Sequence, residues 1–159
     1  MKKTLLLIAV ALFVSSTAFS QFKFGAGLTM GTKAGMDAEG TKVNFGLNLK
    51  GLYSLSDEFA MTLGATYFLP NTYGDPEMKF KNNFQFNLDG QYYFMTEDTK
   101  FYVLGGLNWL TNKKGDDDAM DKFGFEAGAG VEFGNIFVEG KYDFNTMSEQ
   151  LFFTVGYYF

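Results

Sequence analysis

The sequence predicts an all-β protein, a transmembrane up-and-down antiparallel β-barrel of eight strands. Three observations predict this fold. From Gln21 onward, apolar and polar residues alternate with period two, which is the pattern of strands with one apolar face. The alternating segments are about 9–14 residues long, whereas a tilted strand needs about 9–11 residues to cross a membrane. The chain also begins with a segment typical of exported proteins.

Two parts of the chain are expected, a secretory signal peptide at residues 1–20 and an outer-membrane β-barrel domain at residues 21–159. Lys2 and Lys3 form the charged start of the signal, and the apolar stretch from Leu5 to Val14 is its core. Ala18-Phe19-Ser20 fits a cleavage site with small residues at alternate positions. We therefore expect a mature chain that begins at Gln21.

The first four predicted strands each place an apolar residue at nearly every second position. They are 21–31 with Phe22, Phe24, Ala26, Leu28 and Met30; 42–55 with Val43, Phe45, Leu47, Leu49, Tyr53 and Leu55; 59–69 with Phe59, Met61, Leu63, Ala65, Tyr67 and Leu69; and 80–94 with Phe84, Phe86, Leu88, Tyr92 and Phe94. Aromatic and branched residues at these positions favour strands.

The last four predicted strands continue the pattern, the fifth less regularly. They are 101–111 with Phe101, Val103, Leu107 and Trp109; 123–133 with Phe125, Ala127, Ala129 and Val131 between two terminal Phe residues; 136–144 with Val138 and Tyr142; and 151–159 with Phe153, Val155 and Tyr157. In the fifth strand, this phase is chosen because it points Asn108 inward.

The predicted connections alternate between short and long. The short ones are 56–58, 95–100 and 134–135, and the longer polar ones are 32–41, 70–79, 112–122 and 145–150. Gly134-Asn135 fits a two-residue hairpin turn with glycine first. Short periplasmic turns and longer external loops are typical of outer-membrane barrels, so both termini are expected in the periplasm.

The two phases of the strands differ sharply in charge. The apolar phase carries no charged residue, as a lipid-facing surface requires. The opposite phase carries an interior charge network of both signs: Lys23, Lys50, Asp89, Glu126, Glu132, Glu139, Lys141 and Asp143. Because unpaired buried charge is costly, these signs should interleave. A soluble barrel or sandwich would reverse the faces, but so many Phe and Tyr side chains would overfill a narrow interior, which suits Gly, Asn and Thr.

Composition excludes several classes of chemistry. The chain has no Cys, which excludes disulfides, Cys-based metal sites and a lipoprotein anchor, and it has no His for Ser–His catalysis. The carboxylate pairs Glu126 with Glu132 and Glu139 with Asp143 are interpreted as structural charges, and no catalytic, cofactor or metal residue is assigned. An acidic run at 116–118 could contact cations but fits a solvated loop. Without Lys2 and Lys3, 11 basic residues face 18 acidic ones, a net charge of −7, which disfavours nucleic acid.

The chain ends with Thr154-Val155-Gly156-Tyr157-Tyr158-Phe159, and it contains the phrases Tyr53-Ser54-Leu55-Ser56-Asp57-Glu58-Phe59 and Val138-Glu139-Gly140-Lys141-Tyr142. With the export signal and eight alternating segments, these resemble the small eight-stranded outer-membrane barrels of the OmpX and OmpA transmembrane-domain type. The resemblance implies an assembly signal at Val155, Tyr157 and Phe159, read by the outer-membrane barrel assembly machinery. It also implies contact with outer-membrane lipid and lipopolysaccharide.

The expected function is that of a non-enzymatic integral outer-membrane β-barrel with a plugged polar interior and a role in envelope integrity or surface interaction. The alternative is a narrow channel or transporter for small or hydrophobic solutes. No cofactor is expected. The sequence leaves the oligomeric state open, with a monomer expected.

Overall fold

The computed structural model describes residues 21–32, 43–70, 80–95, 99–114, 120–144 and 149–159. Residues 1–20, which include the predicted signal peptide and its cleavage site, lie outside the described part. So do most residues of the four longer predicted connections.

Eight antiparallel strands form one closed barrel in sequence order, with β8 pairing back onto β1. The strands are β1 (Phe22–Gly31), β2 (Asn44–Ser54), β3 (Phe59–Phe68), β4 (Phe80–Met95), β5 (Thr99–Lys114), β6 (Met120–Phe133), β7 (Ile136–Asp143) and β8 (Gln150–Tyr158). The predicted fold class and strand number are therefore confirmed. Within the described ranges, no helix has the length and apolar character needed to span a membrane.

Strands β5 and β6 are longer than the alternation predicted. They continue together past residues 111 and 123, where Thr111 pairs with Asp121 and Asn112 pairs with Met120. These positions are mostly polar, so the apolar period ends before the hydrogen-bonded ladder does. The backbone pairing continues because the two strands stay in register beyond the predicted apolar segments.

The short connections show how local sequence ends each strand. Leu55 leaves β2 for a turn in which the amides of Leu55 and Ser56 both donate to the Phe59 carbonyl, at 2.8 and 3.0 Å. The Ser56 hydroxyl accepts the Phe59 amide at 3.1 Å. Gly134 has a φ of 59°, the left-handed value that a glycine-first two-residue hairpin turn needs.

The apolar phase faces outward, as predicted. Along β2, for example, Phe45, Leu47 and Leu49 are exposed while Asn44, Asn48 and Lys50 are buried. An exposed belt of large apolar side chains, with a buried polar phase behind it, is the arrangement of a barrel whose outer surface contacts lipid.

Candidate functional site

The barrel interior is the candidate site because it gathers the charged residues of the chain's inward phase. We call one end of the barrel the turn end; it holds Phe22, Phe159 and the connections 55–58, 96–98 and 134–135. The opposite end, where 33–42, 71–79, 115–119 and 144–149 connect the strands, is the loop end.

The ammonium of Lys141 lies at the centre of the interior, inside a cage of three carboxylates. Its Nζ lies 2.9 Å from Oε1 of Glu126, 3.6 Å from Oδ2 of Asp89 and 3.7 Å from Oε1 of Glu139. The Lys141 side chain is only 8% exposed. Burial in low dielectric makes a lone ammonium costly, and three surrounding carboxylates offset that cost.

The second oxygens of Glu139 and Glu126 are bonded as well, whereas Oδ1 of Asp89 is buried without a hydrogen-bond partner among the described residues. Lys50 Nζ lies 2.6 Å from Oε2 of Glu139. The Tyr102 hydroxyl donates to that same oxygen at 2.9 Å. On Glu126, Oε2 accepts the side-chain amide of Asn87 at 2.7 Å. These bonds come from β2, β4, β5, β6 and β7, so the charges connect strands that are not neighbours in the sheet.

The other predicted network residues lie on either side of this cage. Towards the turn end, Glu132 accepts the Tyr93 hydroxyl at 2.6 Å and lies 3.9 Å from Lys23. Lys23 is 37% exposed, so it belongs to the mouth of the barrel rather than to its core. Asp143 is fully buried and lies opposite Glu126 in the β6–β7 register.

A layer of bulky side chains crosses the interior between the cage and the turn end, and sequence analysis missed it. We call this layer the aromatic septum; its members are Leu52, Ala60, Tyr93, Tyr102, Leu104, Phe137 and Tyr158. The rings of Tyr93 and Tyr102 lie 5.3 Å apart between centroids, and those of Phe137 and Tyr158 lie 4.7 Å apart. The expectation that the interior holds only modest side chains is wrong at this level.

Inward-facing glycines make room for the septum. A Cβ on Gly130 would overlap the ring and hydroxyl of Tyr102, and one on Gly156 would overlap the ring of Phe137. A Cβ on Gly25 would lie 2.8 Å from the Tyr158 ring. A narrow barrel can therefore enclose three large rings because the neighbouring strands contribute no side-chain volume there. The glycines of the inward phase are the feature of the sequence that could have predicted the septum.

Apart from Asp143, the described buried side chains of the loop-end half of the interior are uncharged and mostly polar, with one aromatic contact. Thr29 and Thr154 share a hydrogen bond of 2.8 Å, and the Asn48 amide donates to Thr66 at 2.8 Å. Phe68 of β3 and Phe152 of β8 place their ring centroids 5.6 Å apart, although two strands separate them in the sheet. These rings therefore meet across the lumen.

The geometry does not isolate a catalytic carboxylate pair. Glu126 and Glu139 both bond to lysine ammonium groups, and Glu132 bonds to a tyrosine hydroxyl. Within the described part of the chain, no group of three or more Asp, Glu, His or Cys side chains is arranged to hold a metal ion. Glu126, Glu132 and Glu139 are therefore each bonded to another interior side chain.

Comparisons with known proteins agree with this architecture. Neisserial surface protein A has a TM-score of 0.68 and 16% sequence identity, and the match covers 87% of this chain and 96% of the neisserial protein. Ail of Yersinia pestis, solved with the heparin analogue sucrose octasulfate, has a TM-score of 0.61 and 16% sequence identity, and the match covers 87% of this chain and 97% of Ail. The N-terminal β-barrel domain of Pseudomonas aeruginosa OprF has a TM-score of 0.55 and 18% sequence identity, and the match covers 87% of this chain and 98% of that domain.

At these identities, the structural likenesses show the fold. A search of curated proteins found no match. The family model described as the outer membrane protein beta-barrel domain matches residues 4–159, almost the whole chain. The chain therefore belongs to the outer-membrane protein β-barrel family.

Proposed function

We propose that this protein is a non-enzymatic outer-membrane barrel with a plugged interior, serving envelope integrity or surface interaction. The aromatic septum is the observation that carries the proposal. Leu52, Tyr102 and Phe137 are each at most 2% exposed, so water has little access to this level of the barrel. The charge cage above it adds bonds across the lumen that a passing solute would have to break.

The alternative, a narrow channel for small or hydrophobic solutes, needs a continuous path through the same level. Planar-bilayer recordings of purified protein separate the two functions. We expect no discrete conductance steps from the wild-type protein. Resolved single-channel steps from the wild-type protein would support the channel and contradict the plug.

A pair of matched variants locates the closure. Phe137→Ala with Tyr158→Ala removes two rings of the septum that contact each other, and we expect it to produce measurable conductance. Phe133→Ala with Tyr142→Ala removes the same residue types from the outer face and should stay silent. If the septum variant is folded but also shows no conductance, the septum does not close the barrel. The closure would then lie at the charge cage.

The non-enzymatic part of the proposal is supported by the bonding of the carboxylates and by the absence of His from the sequence. A general base must be free to accept a substrate proton within hydrogen-bond reach. Glu126 and Glu139 instead accept bonds from lysine, tyrosine and asparagine inside the barrel. They would have to lose those bonds before acting on a substrate.

We further propose that residues 1–20 are removed after Ser20 and that both ends of the mature chain lie in the periplasm. Gln21 and Phe159 lie at the same end of the barrel, the end with the short turns. The loop end would then face outward and make any surface contact. Intact-mass measurement of membrane-extracted protein tests the cleavage, since a mass that retains Lys2 and Lys3 contradicts it.

We propose that the barrel acts as a monomer surrounded by outer-membrane lipid and lipopolysaccharide, placed there by the barrel assembly machinery. Its closed sheet leaves no edge strand for pairing with a second copy. The apolar exposed face supplies the lipid contact. Val155, Tyr157 and Phe159, all exposed on the outer phase of the last strand and its end, are the proposed assembly signal.

A further inference from the structure

The turn end of the barrel holds a polar cavity of about 340 Å³. Leu52 and Tyr93 of the septum line its inner side, so the cavity ends blindly inside the barrel. The walls and rim are mostly polar, and they include Lys23, Ser54, Asp57, Lys100 and Glu132. Cavities of about 300–1,000 Å³ with a few converging polar groups are typical of small-ligand sites.

Two charged side chains of this cavity, Lys100 and Asp57, form no ion pair with a described residue, and Asp57 is exposed to solvent. Lys100 lies directly opposite Glu132 in the β5–β6 register, yet its side-chain ammonium makes no hydrogen bond or ion pair with any described residue. Its cross-strand neighbour is already engaged, because Glu132 accepts the Tyr93 hydroxyl and lies 3.9 Å from Lys23. The Lys100 ammonium is therefore available to a ligand.

We propose that this cavity binds a small oxyanion, a phosphate or carboxylate group, with Lys100 as its main contact and Lys23 as its second. Ammonium groups bind phosphate oxygens as compact charges that each offer three donors. Glu132 is 3% exposed and accepts the Tyr93 hydroxyl, while Asp57 is exposed at the rim. The two lysines and two carboxylates of the lining balance in formal charge, so the preference for an oxyanion rests on the Lys100 ammonium rather than on the net charge of the cavity.

A nuclear magnetic resonance titration of the refolded barrel with inorganic phosphate, at constant ionic strength in detergent micelles, tests the site. We expect saturable shifts of the backbone amides of Lys23, Ser54 and Lys100. Lys100→Met should raise the dissociation constant at least about tenfold, equivalent to about 1.4 kcal/mol. The control Lys122→Met removes a lysine near the loop end and should leave the phosphate titration unchanged.

Parallel titration with a short-chain phosphatidate, below its micelle concentration, distinguishes a lipid headgroup from free phosphate as the source of the oxyanion. Saturable binding of either probe at the same amides supports the site, and the lower dissociation constant identifies its source. Shifts that do not saturate, that chloride reproduces, or that persist unchanged in Lys100→Met would overturn the proposal. Should Lys100→Met fail to fold, Lys100→Gln serves the same comparison. The outcome is independent of conductance, which tests the plug separately.

Discussion

At the scale of single residues, the molecule is organised around one lysine. Lys141 Nζ has three carboxylates within 3.7 Å, whereas Lys23 has one at 3.9 Å and is 37% exposed. Removing the partner of a buried charge leaves an uncompensated ion, while an exposed pair contributes little. The two lysines lie on the same inward phase but should differ strongly in their contribution to stability.

Lys141→Met should therefore lower the free energy of unfolding by about 3–5 kcal/mol, because Asp89, Glu126 and Glu139 would remain buried without their common cation. The matched variant Lys23→Met should cost less than about 1 kcal/mol. Urea unfolding of both proteins in the same detergent, followed by gel mobility and tryptophan fluorescence, measures the difference. Equal unfolding midpoints would show that the cage does not stabilise the barrel.

At the scale of elements, β6 is a strand whose inward face is nearly empty. From Gly124 to the end of the strand, its inward positions hold only glycine and glutamate: Gly124, Glu126, Gly128, Gly130 and Glu132. A Cβ on Gly128 would press on the backbone and side chain of Lys141, and one on Gly130 would overlap Tyr102. Thus β6 provides the space in which side chains from β5 and β7 meet.

Gly130→Ala should destabilise the barrel by about 1–3 kcal/mol, the usual cost of overpacking, because the buried Tyr102 ring cannot move aside freely. Gly90→Ala is the matched control, since a Cβ there points outward and its nearest atom is the Gly105 carbonyl oxygen at 3.9 Å. That control should change stability by less than about 0.5 kcal/mol. The two variants are compared by chemical denaturation, and equal losses would place Tyr102 outside the tightly packed level.

At the scale of the whole molecule, closure joins the first strand to the last. Gly25 to Gly31 pair with Tyr158 to Phe152, and the Phe159 amide donates to the Phe24 carbonyl at 2.7 Å. Open edges carry unpaired backbone groups that lipid cannot satisfy, so this seam is required for a stable transmembrane barrel. Phe159 is at the seam and is 79% exposed on the lipid-facing phase.

If the terminal residue is also an assembly signal, Phe159→Ser should reduce outer-membrane yield in cells more than it reduces refolding in detergent. Only the cellular process includes machinery that recognises the strand. Heat-dependent gel mobility gives the folded fraction in both settings. Phe133→Ser is the control, because it removes an exposed ring at the turn end of β6. A parallel loss of yield and refolding, or a yield equal to that of Phe133→Ser, would leave Phe159 with a packing role alone.

Sequence alone determined the fold because a lipid-facing barrel imposes a strict rule on every strand. One phase must be apolar and uncharged, so Phe45, Leu47 and Leu49 alternate with Asn44, Asn48 and Lys50, and the period gives both strand number and facing. The Gly134-Asn135 turn followed from the left-handed φ that glycine permits. The sequence did not predict the loop-end bounds of β5 and β6, because their backbone pairing continues beyond the apolar alternation.

Only the tertiary structure decided which inward residues meet. Alternation places Lys50, Glu139 and Lys141 in the lumen but carries no information about their depth or about contacts between distant strands. Those contacts depend on the tilt and stagger of the closed sheet, which bring Lys50 of β2 within 2.6 Å of Glu139 of β7. The septum could not be predicted from the sequence for the same reason. Whether a ring on the inward phase fits depends on glycines of neighbouring strands, such as Gly130 beside Tyr102, and that register exists only once the barrel closes.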